Sequence, residues 1–360
     1  MLIMGKKRMI FCLIVAIVLV LSACSSSNDS SIDANNNVQS TTNNSAANAP
    51  TDEGKTDEGA ASIVQTTYPL TISNYKTENG TWVAKEQTFD KTPERVVANT
   101  QGAAELLIRL GLTDNIVGVA ALYGNVPADI VDDFNRIPVL AEGYVGKELT
   151  VGASPDLVMG RGGLFEDADW GVGTVDSLNE LSIKTFVQSS SITGASLESL
   201  YKDITELGEI FNVQANAAAY IDELKAREAA LAARASAETI NFAFFFDNGD
   251  GTVGIYNGNT DDFIESAMSL INVHNMLINE TGTISLEQLV EINPDVLLIS
   301  EYTGGIDPDQ TIETLLANEQ VQSINAIKNK QIFAIDFNNF WGYGDSIFTG
   351  VEELADDLGL

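Results

Sequence analysis

Histidine is almost missing from this chain: His274 is the only one among 360 residues. Cysteine occurs twice, as Cys12 and Cys24. These two scarcities exclude zinc or manganese capture by clustered histidines, because a structural or catalytic zinc site needs three or four nitrogen and sulfur ligands. They also make any Ser-His-Asp or His-based acid/base chemistry depend on one residue. That residue falls in "SLINVHNML", where it reads as a partly exposed histidine near a helix end. Positive charge is the third shortage, with 19 Lys and Arg against 51 Asp and Glu and a net charge of −32. With no basic face to neutralise phosphates, nucleic acid is excluded as a partner.

The first residues, "MLIMGKKRMIFCLIVAIVLVLSAC", place Lys6, Lys7 and Arg8 ahead of an apolar stretch from Met9 to Leu21. A run that short, closed by small residues, reads as an export signal over 1–23 rather than a spanning helix. "LSAC" resembles the lipobox of bacterial lipoproteins, which implies a lipidated Cys24 as the first mature residue and attachment to the outer face of the cytoplasmic membrane. Cys12 then leaves with the signal, and no disulfide is expected in the exported protein. Removing the signal's three bases leaves 16 basic against 51 acidic residues, a net of −35. That charge serves solubility and opposes any electrostatic hold on anionic lipid, so the acyl chains would carry the membrane attachment.

Residues 24–67 are rich in Ser, Asn, Thr, Ala, Asp and Gly, with hardly a large apolar side chain. Such a segment cannot bury enough surface to offset its ordering entropy, so a tether is expected, with a reach of about 35–40 Å. The following residues, Tyr68 to Leu360, suffice for two lobes. "YPLTISNYKTENGTWVAKEQTF" opens them with Asn79-Gly80 between alternating apolar positions, a hairpin signal.

Strand and helix patterns then alternate. "RVVAN", "NIVGVA", "PDLVMG" and "KTFVQ" read as strands, with helices over 101–111, near 127–134 and near 175–181 between them. A second series contains "INFAFFF", "TVGIYN", "PDVLLIS" and "KQIFAID", a helix over 261–272 and a closing helix "DSIFTGVEELADDLG". Alternation of this kind predicts α/β architecture with mainly parallel sheets. Between the series, 196–236 carries apolar residues at three- and four-residue steps, broken near Asn212. Its second half, "QANAAAYIDELKAREAALAARA", predicts one helix of about 33 Å. The expected organisation is an N-terminal lobe over 68–195, a helical connection over 196–236 and a C-terminal lobe over 237–360. A single long helix between lobes would permit only small closing motions.

One phrase occurs twice. "SPDLVMGRGG" around Pro155 is echoed by "NPDVLLISEYTGG" around Pro294, 139 residues later. That spacing is too long for a solenoid repeat and predicts equivalent strands in two related lobes, each followed by a glycine loop. Two other motif-like stretches carry less. "GVGTVD" (171–176) follows no strand and lacks the third glycine of a dinucleotide fingerprint, so it reads as loop. "DNGDGTVGIYNGN" (247–259) lacks a calcium loop's twelfth-position Glu and reads as a hairpin turn.

"TPERVVANTQGAAELLIRLGLTDNIVGVA", "SPDLVMG", "LGEIFNVQANAAAYIDEL" and "NGNTDDFIESAMSLINVHN" resemble, in the same order, the iron–siderophore and cobalamin binding proteins of bacterial ABC importers. The resemblance spans about 93–360. It implies two α/β lobes joined by one long helix, with a ligand cleft between them, and no enzymatic activity. It implies an ABC permease and its ATPase as partners, a small-molecule metal chelate as ligand, no cofactor of the protein's own, and a monomer. The chain departs from the family at "ELTVGAS", ahead of the first Pro-Asp phrase, and in a long loop, "GRGGLFEDADWGVG".

Loops after strand ends collect at the carboxyl edge of a parallel sheet, where ligands bind. Those loops supply Gln101, Tyr123, Tyr144, Arg161, Tyr256, Asn259, Tyr302, Trp341 and Tyr343 as candidate ligand contacts. Aromatic faces with one or two cations suit a large, partly apolar chelate whose oxygens a guanidinium can bond. Candidate cations are few, chiefly Arg161 and Lys147. A triply negative catecholate complex would be expected to meet several arginines, whereas a neutral or cationic hydroxamate chelate needs fewer. A ferric hydroxamate siderophore is therefore the first expectation, with cobalamin second and haem third, haem needing an axial Tyr, Met or His274. An exported enzyme or a structural surface lipoprotein would be the alternatives from other classes. In the family a carboxylate on each lobe pairs with permease arginines, and the acids after the two glycine pairs are the candidates: Glu166, Asp167 and Asp169 on one lobe, Asp307 and Asp309 on the other.

Overall fold

The computed structural model describes residues 65–247, 252–254, 262–280 and 282–360. The signal, Cys24 and most of the tether lie outside the described residues, as do Tyr256 and Asn259.

The chain enters through a hairpin, β1 (Leu70–Glu78) and β2 (Thr81–Phe89), paired antiparallel. Asn79 and Gly80 both take positive φ, 50° and 75°, as a two-residue turn matching strand twist requires. The hairpin lies against β6 (Lys184–Val187), an edge of the N-terminal sheet. Two buried amides do the joining. Asn74 Nδ2 donates to the Thr185 carbonyl (2.9 Å) and Asn74 Oδ1 accepts from the Val187 N–H (2.8 Å). Gln87 Oε1 accepts from the Thr185 N–H at 3.3 Å. Side chains thus supply the partners that an edge strand otherwise leaves to solvent or aggregation.

The N-terminal sheet comprises β3 (Val96–Ala98), β4 (Ile116–Val119), β5 (Leu157–Gly160) and β6, in the order β4-β3-β5-β6, parallel throughout. The C-terminal sheet is built on β7 (Ile240–Asp247), β9 (Val273–Asn275), β11 (Val296–Glu301) and β12 (Ile332–Asp336). Their order, β9-β7-β11-β12, is again parallel throughout and repeats the first lobe's topology. Two short strands, β8 (Thr252–Gly254) and β10 (Thr283–Ser285), extend this sheet antiparallel from the end of β7. His274 therefore sits on β9, just past the helix end where the sequence placed it, with Nδ1 2.6 Å from Glu265 Oε1.

The doubled Pro-Asp phrase opens β5 and β11, which occupy equivalent positions. The aspartate explains the repetition. Asp156 accepts from the N–H groups of Glu94 and Arg95 (both 2.9 Å), and Asp295 accepts from the Asn241 N–H (3.2 Å). The backbone repeats the match: Asp156 N donates to the Arg95 carbonyl, and Asp295 N to that of Asn241. Each carboxylate ties down the start of the first strand of its own lobe, where free N–H groups would otherwise be unmet.

Between the lobes run helices Leu197–Ile210 and Gln214–Ala232, separated by Asn212 at φ 57°. The second has 19 residues, three fewer than its pattern predicted, and is about 28 Å long. It buries Ala217, Tyr220, Leu224 and Leu231. The closing helix, Ser346–Leu358, is tied to it by the ion pair Arg227–Glu352 and to the turn just past it by Arg234–Asp356. The first helix is tied to the N-terminal sheet by Asp203, whose buried carboxylate accepts from the N–H and hydroxyl groups of both Ser189 and Ser190 just past β6. One apolar cluster runs from Val96 and Leu106 through Leu207 to Phe242, Phe340 and Leu354, so the lobes share a core. The outer faces of the two sheets bury separate, smaller clusters.

Candidate functional site

At the carboxyl ends of β3 and β5 the chain builds a fixed mount for Arg161. Asn99, directly after β3, donates from Nδ2 to the Arg161 carbonyl (3.0 Å) and accepts the Arg161 N–H at Oδ1 (2.8 Å). Gly160 makes this possible: its φ is 134°, and a Cβ there would lie 2.0 Å from Asn99 Oδ1. The Arg161 guanidinium stacks over the Tyr343 ring, 5.1 Å from its centroid. A cation held against an aromatic face at both backbone and side chain is pre-organised to receive an acceptor.

Arg161 faces a narrow slot, with room for about one water molecule, between Tyr123 and Tyr144 on one lobe and Phe337, Asn338 and Trp341 on the other. Tyr123 meets Tyr144 edge-on at 5.3 Å and Phe337 at 5.7 Å. Phe337 stacks on Trp341 at 5.1 Å, and Tyr302 packs at 5.9 Å from Phe337. Partial burial pushes the Tyr123 hydroxyl pKa up, with Tyr144 adding to the effect. Arg161 is the one cation among the lining residues.

Direct contacts pull the lobes together around the slot. The Thr303 N–H donates to the Tyr123 carbonyl (3.1 Å), and Asp336 accepts from the Asn125 N–H (2.8 Å). Ser190 Oγ, whose one proton is shared with Asp203, lies 2.7 Å from the Tyr343 carbonyl oxygen. Beneath them Glu105, buried, accepts from Gln101 Nε2 (2.8 Å) and from Asn338 Nδ2 of the opposite lobe (2.9 Å). Burial pushes the Glu105 carboxyl up to about 7, the nearby Asp345 and Asp336 charges adding to the rise while the two amides oppose it.

The structure thus brings Tyr123, Tyr144, Arg161 and Trp341 to one slot, with Tyr302 on its rim. Gln101 and Tyr343 are placed otherwise. Gln101 is buried, its amide spent on Glu105 and on the Gly124 N–H (3.2 Å). Tyr343 is wholly buried under Arg161, at φ 52°. Trp341 and Tyr343, expected in a loop after a strand end, lie in the segment "FNNFWGYGDS" (337–346). That segment begins instead with a buried helix, Phe337–Trp341. Gly102 admits the Gly342 backbone of the other lobe: a Cβ on Gly102 would lie 2.7 Å from the Gly342 carbonyl oxygen. The acids after the glycine pairs lie at the surface, Glu166 half-buried and Asp167, Asp169, Asp307 and Asp309 exposed. Asp307 caps helix Pro308–Ala317 through the Asp309 N–H (3.0 Å). Lys147 packs its aliphatic stem against Gly173.

Sequence reasoning overlooked Phe337, Asn338, Thr100 and Trp170, all lining residues. Phe337 and Asn338 directly follow β12, so the strand-end rule that found Arg161 could have found them. Thr100 was hidden by its other task, capping the helix that begins at Gln101.

Comparison with known proteins agrees with this architecture. A lipoprotein from Bacillus subtilis (strain 168), described as an uncharacterized ABC transporter substrate-binding lipoprotein, is 22% identical over 81% of this chain and 86% of its own length. A cobalamin-binding protein from Halobacterium salinarum is 26% identical over 70% of this chain and 66% of its own. Among solved structures, a periplasmic binding protein from Veillonella parvula superposes with a TM-score of 0.69 at 20% identity, over 81% of this chain and 99% of that one. A protein of an ABC-type Fe3+-hydroxamate transport system from Saccharomonospora viridis superposes with a TM-score of 0.65 at 24% identity, over 82% and 100%. Residues 96–338 match the family described as Periplasmic binding protein. With that match across both sheets and the slot between them, the chain belongs to the periplasmic binding protein family, as a non-enzymatic substrate-binding protein of an ABC importer.

Proposed function

We propose that this protein captures a ferric siderophore of hydroxamate type and delivers it to its permease. The observation that carries the reading is the charge of the cleft: aromatic walls with Arg161 as their one cation. One guanidinium can bond the oxygens of a neutral or singly charged chelate, but it cannot balance a triply negative catecholate complex in a protein of net charge −32. The relative from a Fe3+-hydroxamate transport system supports the same class. Cobalamin is the second reading, favoured by the Halobacterium relative of that name; it too makes little demand for cations.

In this account Cys24 carries the lipid, and a monomeric binding unit rides on its tether at the outer face of the cytoplasmic membrane. The resemblance of "LSAC" to a lipobox supports the anchor, as does the lipoprotein description of the Bacillus relative. The permease contact falls to Glu166, Asp167 or Asp169 on one lobe and Asp307 or Asp309 on the other. Charge reversal at one such residue per lobe should abolish uptake and leave chelate affinity unchanged. A fall in affinity instead would move these residues into the cleft.

The ligand class is tested by tryptophan fluorescence of the full chain titrated with ferrioxamine B, ferrichrome, ferric enterobactin, haem and cobalamin. The expected result is saturable quenching by the two hydroxamates near micromolar concentration or below. Saturation by cobalamin alone would establish the second reading, and silence across the panel would overturn both.

A further inference from the structure

Arg161 borders a second hollow. An open bay of about 420 Å³ is lined by Tyr144, Arg161, Gly163, Leu164 and Trp170. All of these belong to the N-terminal lobe, so the bay does not depend on how closely the lobes approach. The slot, by contrast, leaves room between its walls for about one water molecule. Small-molecule sites typically occupy about 300–1,000 Å³, which the bay satisfies and the closed slot does not.

Trp170 stands out in this setting. It is 47% exposed, although the loop presenting it is firmly anchored. Phe165 and Val172 on either side are buried. The Val172 N–H donates to the Leu164 carbonyl (2.9 Å), and the Gly173 N–H to that of Glu166 (3.1 Å), closing the loop at its neck. Gly171 lets the two sides of that neck meet, since a Cβ there would fall 2.2 Å from the Glu166 carbonyl oxygen. Gly146 likewise receives the Asp169 carbonyl. An indole left in water on a fixed loop, beside a fixed guanidinium, offers apolar area to a ligand at little entropic cost.

We propose that this bay is the half of the site that selects the ligand: an apolar arm of the chelate lies against Trp170 and Tyr144 while its oxygens meet Arg161. This rests on the reading of the protein as a chelate binder and adds where the chelate's bulk is held.

The test uses full-length protein labelled with 5-fluorotryptophan, whose three resonances report Trp82, Trp170 and Trp341, assigned by Trp→Phe variants. The probe is the diamagnetic gallium(III) complex of desferrioxamine B, and calorimetry gives its affinity for wild type, Trp170→Phe and Trp170→Ala. The Trp170 resonance should shift on saturation. Trp170→Ala should bind about tenfold more weakly, the scale of one lost aromatic contact, while Trp170→Phe stays within about threefold of wild type. Saturable binding that leaves the Trp170 resonance unmoved, with Trp170→Ala at wild-type affinity, would overturn the bay and leave the chelate reading standing. If neither this complex nor ferrichrome binds, the reading and the bay fall together.

Discussion

At the scale of single residues, the site depends on how Arg161 is mounted. Its side chain was identifiable in the sequence because the flanking glycines leave it little to pack against. Its support was not, because Asn99 is 62 positions away and meets Arg161 only through parallel pairing of β3 with β5. Two substitutions separate the charge from its mounting. Arg161→Ala should weaken hydroxamate binding about tenfold or more, the worth of a charge-assisted hydrogen bond. Asn99→Ala keeps the guanidinium but frees its backbone, and should weaken binding by a smaller factor. Calorimetry on both variants decides: equal affinity for Arg161→Ala and wild type would remove Arg161 from the ligand's contacts.

At the scale of elements, periodicity and turn chemistry foretold much. The Asn79-Gly80 hairpin, the paired Pro-Asp strands and the closing helix were all legible from local pattern, because local sequence alone fixes a two-residue turn or an apolar run. The segment after β12 was not. "FNNFWGYGDS" shows aromatics and glycines, and a glycine says only that something comes close, not what. The structure shows that it is the Gly102 end of a helix in the other lobe. Short elements such as β9, or the helix Phe337–Trp341, are too brief to show a period. The Gly102–Gly342 contact predicts a specific failure. Gly102→Val puts a branched side chain where even a Cβ is 2.7 Å from backbone oxygen, so the lobes should part, with a larger radius of gyration in X-ray scattering. Gly152→Ala is the control, since a Cβ there meets nothing within 4 Å. An unchanged radius for Gly102→Val would mean that the interface yields locally instead.

At the scale of the whole molecule, the two lobes share one core cluster and one long helical connection, while Glu105 links them beneath the slot. A buried acid of this kind makes stability depend on pH. With its folded pKa near 7, above the ordinary carboxylate value, folded Glu105 keeps its proton where the unfolded chain has lost it. Stability should therefore fall as pH rises from about 4.5 to about 7, by a few kcal/mol at most from this group, and level off above that. Buried Asp203 and half-buried Glu206, also pushed up by desolvation, act in the same direction. Urea midpoints of wild type and Glu105→Gln at pH 5 and 7.5 isolate the Glu105 share: the variant should show the smaller drop, and equal drops would assign the slope elsewhere.

The same scale carries the central claim, that an aromatic cleft with one cation, in an acidic protein, takes a chelate of low charge. Calorimetric titration of the full chain with neutral ferrichrome and, separately, with triply negative ferric enterobactin tests it most directly. The account predicts saturable heat with ferrichrome at micromolar concentration or tighter and none with ferric enterobactin. Tighter binding of ferric enterobactin would contradict it.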